Sequence, residues 1–237
     1  MYYGRKKINC PFCNKESSAN SHFEKYGLVN NPDLAHILET DNTYIKPELL
    51  SSSPDGMHLL LIPKPHRLSF TALPELANEV GHAIQRIEDE FQRSFVFFEH
   101  GSAMGGESKL QSVYHQHGHL IPDGNSNILE YMADRLKKVY KIPFKIIDTP
   151  DKSPIVNLKQ YFKGFNYLYI QQGRKGLIAH DNKDGDPTDS FPSQMTQKSM
   201  SLFLGHVEID WKLINQKEEF ARLSAQRMAN LIAQCKI

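Results

Sequence analysis

The chain has 237 residues, 40% hydrophobic and 23% charged, which is enough to bury a core without disulfide staples and suits one elaborated domain or two small ones. Lys and Arg total 28 against 27 Asp and Glu, a net charge of +1, which excludes the bulk signature of a nucleic-acid coat or a membrane-surface binder. The most apolar run, His58 to Pro63, is far short of the ~18 residues of a spanning helix, and Met1 to Lys7 has no apolar signal core, so a soluble cytoplasmic protein is expected.

Met1 to Ser53 reads as irregular and polar, ending in the turn cluster Ser51-Ser-Ser-Pro-Asp-Gly56. Met57 to Lys64 reads as a buried strand that stops at its prolines. Leu76, Val80, Ala83, Ile84, Ile87 and Phe91 recur at spacings of three and four, predicting an amphipathic helix that starts near Pro74 and runs to about Arg93. Ser94 to His100 is a second strand, followed by the glycine-rich loop Gly101 to Gly106. Ser112 to Pro122 alternates with period two and is a third strand.

Asp123 to Ser126 is a turn and the natural boundary between a first unit, 1–122, and a C-terminal α/β extension, 123–237, packed on it. In the extension, Ile128 to Tyr140 has helical spacing, Ile142 to Ile147 reads as a strand and Pro154 to Phe162 as a short helix. Phe165 to Gln172 and Gly176 to His180 form a hairpin around Gly-Arg-Lys-Gly. Asp181 to Ser190 is an acidic loop that fails the calcium-loop pattern. Ser193 to Leu204 and Gln216 to Ala233 read as helices. No internal repeat is visible.

Two features carry chemistry. Cys10-Pro-Phe-Cys13 is half of a zinc site or a redox pair; the nine residues before Cys10 leave no room for the strand that a redox pair of the thioredoxin type follows, so zinc is preferred, with two further ligands needed from elsewhere. His115, His117 and His119 alternate within the third strand, which places them on one face about 6.6–7 Å apart. Three imidazoles in register are a costly way to fill a core, because each ring has a donor and an acceptor that need partners. A neutral imidazole is also a competent nucleophile at neutral pH.

Gln111-Ser-Val-Tyr-His-Gln-His-Gly-His-Leu-Ile-Pro122 resembles the signature of the histidine-triad (HIT) superfamily. Cys10-Pro-Phe-Cys13, Leu60-Leu-Ile-Pro-Lys-Pro-His66 and Phe97-Phe-Glu-His-Gly101 match further pieces of it in the expected order, over about half the chain. The resemblance implies an α+β fold, with an antiparallel sheet of about five strands and packed helices. It implies an enzyme acting on nucleotides, a hydrolase or nucleotidyltransferase working at an α-phosphate through a covalent nucleotidyl-histidine. Dinucleoside polyphosphates, nucleoside phosphoramidates and nucleotide-sugar-like diphosphates are the substrate classes.

Within that resemblance His117 is the nucleophile, His119 hydrogen-bonds a phosphate oxygen, and Ser112 donates to the phosphate or leaving group. Gly106, Lys109 and Gln111, on or after the glycine loop, are candidate phosphate contacts. Asp41 or Asn42 is a candidate for the ribose. Cys10, Cys13, His66 and His115 complete a structural Cys₂His₂ zinc site, which gives His115 a place in both the triad and the metal set. Gln116 and Gly118 depart from the usual apolar spacers. A homodimer through sheet edges and helices is implied as well, on a surface that the extra half could occupy. The competing expectation is a zinc-stabilised nucleotide- or RNA-binding module with a non-catalytic triad; near-zero net charge argues against extended RNA binding.

Overall fold

The computed structural model describes Cys10, Phe12, Cys13 and residues 37–48, 51, 53, 55–101, 115–124, 127–158, 167–180 and 195–205, with isolated helical positions between 219 and 230. Eight strands form one sheet: β1 (Leu38–Glu39), β2 (Thr43–Pro47), β3 (Leu59–Pro63), β4 (Phe95–Gly101), β5 (Gly118–Pro122), β6 (Phe144–Asp148), β7 (Tyr167–Gln172) and β8 (Lys175–His180). Their spatial order is β1-β2-β3-β5-β4-β7-β8-β6, and every neighbouring pair is antiparallel. The fold is therefore α+β with an antiparallel sheet. Five strands come from the first half, as expected, and the second half adds three. The two halves join where β4 pairs with β7, from Val96↔Gln172 to Gly101↔Tyr167.

Helix α1 (Ala77–Phe91) enters through a 3-10 turn at Pro74–Leu76 and buries Val80, Ala83, Ile84 and Ile87. It stops because Gln92 turns into the left-handed region (φ 49°) and Arg93 N–H bonds back to the Glu88 carbonyl at 3.2 Å. With α3 (Pro154–Leu158), it covers one face of the sheet, against Ile45, Leu61, Phe97, Leu120 and Tyr169. The other face is covered in part by α2 (Ile128–Arg135), which runs on as a π turn (Leu136–Tyr140), and by α4 (Met195–Phe203). These pack on Val96, Phe98, Ile121, Leu168 and Ile170. The rest of that face carries a small cluster of Cys10, Phe12, Tyr44, Leu60 and Ile62. The site lies between these two clusters, opposite α1.

Two expectations need correction. The segment read as irregular contains β1 and β2. All five residues of β2 are buried, including Lys46 and Pro47, so it shows neither alternation nor a purely apolar run. Among the described residues, β1 pairs only with Tyr44 and Ile45 of β2. The third strand is also shorter than expected, since regular pairing begins only at Gly118. Its neighbour β3 ends at Pro63, with Pro65 beyond, and prolines offer no N–H to a ladder. Gln116 N–H instead bonds the Arg67 carbonyl at 2.7 Å.

Candidate active site and metal centre

The loss of pairing before Gly118 lets the three histidines part company. His115, 1% exposed, turns towards the N-terminal cysteines: its Nδ1 is 3.4 Å from both Cys10 Sγ and Cys13 Sγ. His66 Nδ1 is 3.1 Å from Cys13 Sγ. The four ligand atoms of Cys10, Cys13, His66 and His115 all lie within 4.8 Å of one another. Zinc–sulfur and zinc–nitrogen bonds of ~2.3 and ~2.0 Å at a tetrahedral angle separate S from N by about 3.5 Å, so the donor set fits a tetrahedral metal. The second ring nitrogen of His115 supports this: Nε2–H donates to the Pro63 carbonyl at 2.6 Å, leaving the Nδ1 lone pair for the cluster.

Phe12, between the two cysteines, leans edge-on against the His117 ring, with centroids 5.2 Å apart. Tyr44 on β2 secures this segment by donating from its hydroxyl to the Phe12 carbonyl at 2.8 Å. The Cys/His cluster thus borders the second site directly.

That second site is built from His117 and His119. Their ring centroids are 5.0 Å apart. His117 Nδ1 lies 2.9 Å from the His115 carbonyl, which can only accept; the proton is therefore on Nδ1 and the lone pair on Nε2. His119 stacks on Phe98 of β4 at 4.3 Å and 2° between planes. Its Nδ1 is 2.9 Å from Nε2 of His58, a residue for which the sequence suggests no partner. His58 directly precedes β3 and is fully buried; its signal lay only in the alternation that puts it on the same sheet face as Leu60, the pairing partner of His119. His100 belongs to the same electrostatic group, since it acts on His119.

Burial holds all these rings neutral. It lowers His58 to about 3 and His100 to about 4, with the nearby His117 adding to the effect. It lowers His119 well below the usual imidazole range, reinforced by His117, His58 and His100. It lowers His117 too, opposed by the bond to the His115 carbonyl and reinforced by the ammonium of Lys46. Two neighbouring imidazoles, one with its lone pair on Nε2 and the other able to donate, can together attack and bind an electrophilic phosphorus.

The unusual spacers have a role on the opposite face. Gln116 donates to Glu99 Oε1 at 2.5 Å and to the His117 carbonyl at 3.2 Å. Gly118 leaves space for the rings of Phe97 and Phe70. Glu99 Oε1 also accepts from Tyr167 Oη (2.6 Å) and Phe70 N–H (3.0 Å). This buried network holds the backbone that carries His117 from behind.

Asp41 and Asn42 sit exposed at the β1–β2 turn, where Asn42 donates from its backbone (2.8 Å) and side chain (2.9 Å) to Glu79 on α1. Ser112, Gly106, Lys109 and Gln111 lie outside the described residues. No helix among the described residues is long and apolar enough to cross a membrane.

No protein-family model and no curated protein matches the chain. Solved structures do. A HIT family hydrolase from Clostridium thermocellum aligns at 17% identity over 50% of this chain and 94% of its own, with a TM-score of 0.33. A HIT family protein from Bacillus anthracis aligns at 25% identity over 56% of this chain and 93% of its own, with a TM-score of 0.31. Yeast Ap4A phosphorylase in complex with AMP aligns at 11% identity over 90% of this chain and 80% of its own, with a TM-score of 0.41.

The chain is similar to HIT family proteins. The pieces of the HIT signature quoted from the sequence meet here in space: the cysteine pair, His66 and His115 in one cluster, and His117 and His119 beside it.

Proposed function

We propose that the chain is a HIT-type nucleotide hydrolase or nucleotidyltransferase. One observation carries the reading: the bond from His117 Nδ1–H to the His115 carbonyl, which leaves Nε2 as a fixed nucleophile beside His119. Burial of both rings supports it, because a protonated imidazole cannot attack. The Nε2 lone pair forms a bond to the α-phosphorus as the bond to the leaving group breaks and its electron pair departs with that group, while the proton stays on Nδ1, donated to the His115 carbonyl. Water or a second acceptor then attacks phosphorus and the electron pair returns to Nε2. His119 donates from Nε2 to a phosphate oxygen, with its Nδ1 accepting from His58. Ser112, Gly106, Lys109 and Gln111 contribute further phosphate contacts.

The metal of the Cys10, Cys13, His66 and His115 cluster is zinc, in a structural role. Its four protein ligands leave no open position for a substrate, so it would tie the N-terminal segment to the strand ahead of the nucleophile. Incubation with a panel of dinucleoside polyphosphates, nucleotide sugars and nucleoside phosphoramidates, followed by rapid quench and peptide mass spectrometry, tests the reading. A nucleotidyl adduct on the His117 peptide, lost in His117→Ala together with mononucleotide release, is expected. Tight nucleotide binding with neither adduct nor turnover would mark a binding module instead.

A further inference from the structure

We propose that Gln116 is a positioning residue of the nucleophile, acting from the face of the sheet opposite the site: together with Glu99 in its acid form it clamps the peptide unit after His117, and ionisation of that acid opens the clamp. The inference rests on the reading of His117 as nucleophile and adds the group that holds its main chain.

The ladder that fixes β5 begins at Gly118, one residue after the nucleophile. Side chains hold the stretch before it. The His115 carbonyl accepts from His117 Nδ1–H at 2.9 Å, and the His117 carbonyl accepts from Gln116 Nε2–H at 3.2 Å. Gln116 is itself tied at both ends. Its main-chain N–H bonds the Arg67 carbonyl at 2.7 Å, and its Nε2 lies 2.5 Å from Glu99 Oε1. The amide has two hydrogens, one for each acceptor. Gln116 is 3% exposed and Glu99 is fully buried, so water does not compete for these bonds.

The surroundings of Glu99 suit an acid rather than an anion. Three donors, the Gln116 amide, the Tyr167 hydroxyl (2.6 Å) and the Phe70 N–H (3.0 Å), converge on Oε1, while Oε2 is buried without a hydrogen-bond partner. An anion spreads its charge over both oxygens and needs donors at each, so a bare Oε2 disfavours it. Among the described residues no countercharge faces the group. From β7 it meets the phenols of Tyr167 and of its cross-strand partner Tyr169, which donates to Gln171 at 2.6 Å; from β5 it meets Gly118. The buried residues of α1 and α3 include no charged side chain. Arg67, on the loop that bonds Gln116, is exposed and donates to the His66 carbonyl at 3.0 Å. An ionised Glu99 would bind the Gln116 amide more tightly and draw it off the His117 carbonyl, the longer of its two bonds. A shift of about 1 Å in a reacting group can cost about 100-fold in rate.

The test follows the rate of His117 adduct formation in the full chain at saturating substrate, by rapid quench and peptide mass spectrometry, from about pH 6 to 10. The probe is whichever dinucleoside polyphosphate, nucleotide sugar or nucleoside phosphoramidate yields the adduct, and a urea midpoint is taken at each pH. The wild-type rate should fall as pH rises through about 8, the value to which burial raises Glu99. Gln116→Leu should react about 10–100-fold more slowly at pH 7 with substrate affinity little changed, and should lose the alkaline fall. Glu99→Gln, neutral at every pH, should lose that fall as well. A wild-type rate with no alkaline fall, or a fall that survives in either variant, would overturn the proposal. A Gln116 that only supports folding would lower the urea midpoint and leave the shape of the pH profile as in the wild type. If Gln116→Leu does not fold, the wild-type and Glu99→Gln profiles decide the matter. Absence of a His117 adduct with every compound would instead defeat the reading of the site, and this inference with it.

Discussion

His58, outside every quoted piece of the motif, and Glu99, inside the Phe97–Gly101 piece but with no role read for it there, both support the site. His58→Phe keeps a ring near Phe98, 6.1 Å away, and removes the bond that orients His119. We expect kcat to fall about 10–100-fold with KM little changed, as for loss of an acid–base contribution. Unchanged kcat would mean that stacking on Phe98 positions His119 by itself. Glu99 makes a pH prediction. Burial raises its pKa to about 8, against the opposing bonds from Tyr167, Phe70 and Gln116. The folded chain thus keeps a proton that the unfolded chain releases at its ordinary value of 4.5. Stability from this group is full below that value and is lost as pH rises through about 8. Glu99→Gln should flatten the dependence of unfolding free energy on pH between 5 and 8 and raise the melting temperature at pH 8. The same slope in both proteins would rule Glu99 out as its source.

At the scale of elements, the short strand β5 does two jobs on two faces. Its site face presents His119, and its other face must fit under Phe97 and Phe70. A Cβ on Gly118 would lie 2.2 Å from Phe97 Cε2 and 2.6 Å from Cζ. Gly118→Ala should therefore cost about 1–3 kcal/mol, read as a lower urea midpoint, and slow adduct formation, because Gly118 separates the two reacting histidines. A neutral substitution would mean the Phe97 ring has room to turn aside. The glycine that departs from the apolar pattern in the sequence is thus explained by packing. The Glu99–Gln116 network explains the other departure, a polar spacer that finds buried partners rather than a wet surface.

Across the whole molecule, the Cys10, Cys13, His66 and His115 cluster joins the cysteine segment to the loop after β3 and to the approach to β5. Metal removal by a chelator should lower the melting temperature by about 5–10 °C, and Cys13→Ser should do the same. Metal analysis of the fresh protein should return about one zinc per chain. Substoichiometric metal, with melting unchanged by chelation, would reject the cluster as a structural site. The sequence by itself determined the chemistry: a cysteine pair, a run of alternating histidines and an amphipathic helix are local patterns, fixed by residue type and spacing. Only the tertiary structure decided the division of labour. It sent His115 to the cysteines and His117 and His119 to the site, and gave His119 its partner His58. The physical reason is that hydrogen bonds, burial and strand register between residues tens of positions apart depend on which strands become neighbours, and no local period records that choice.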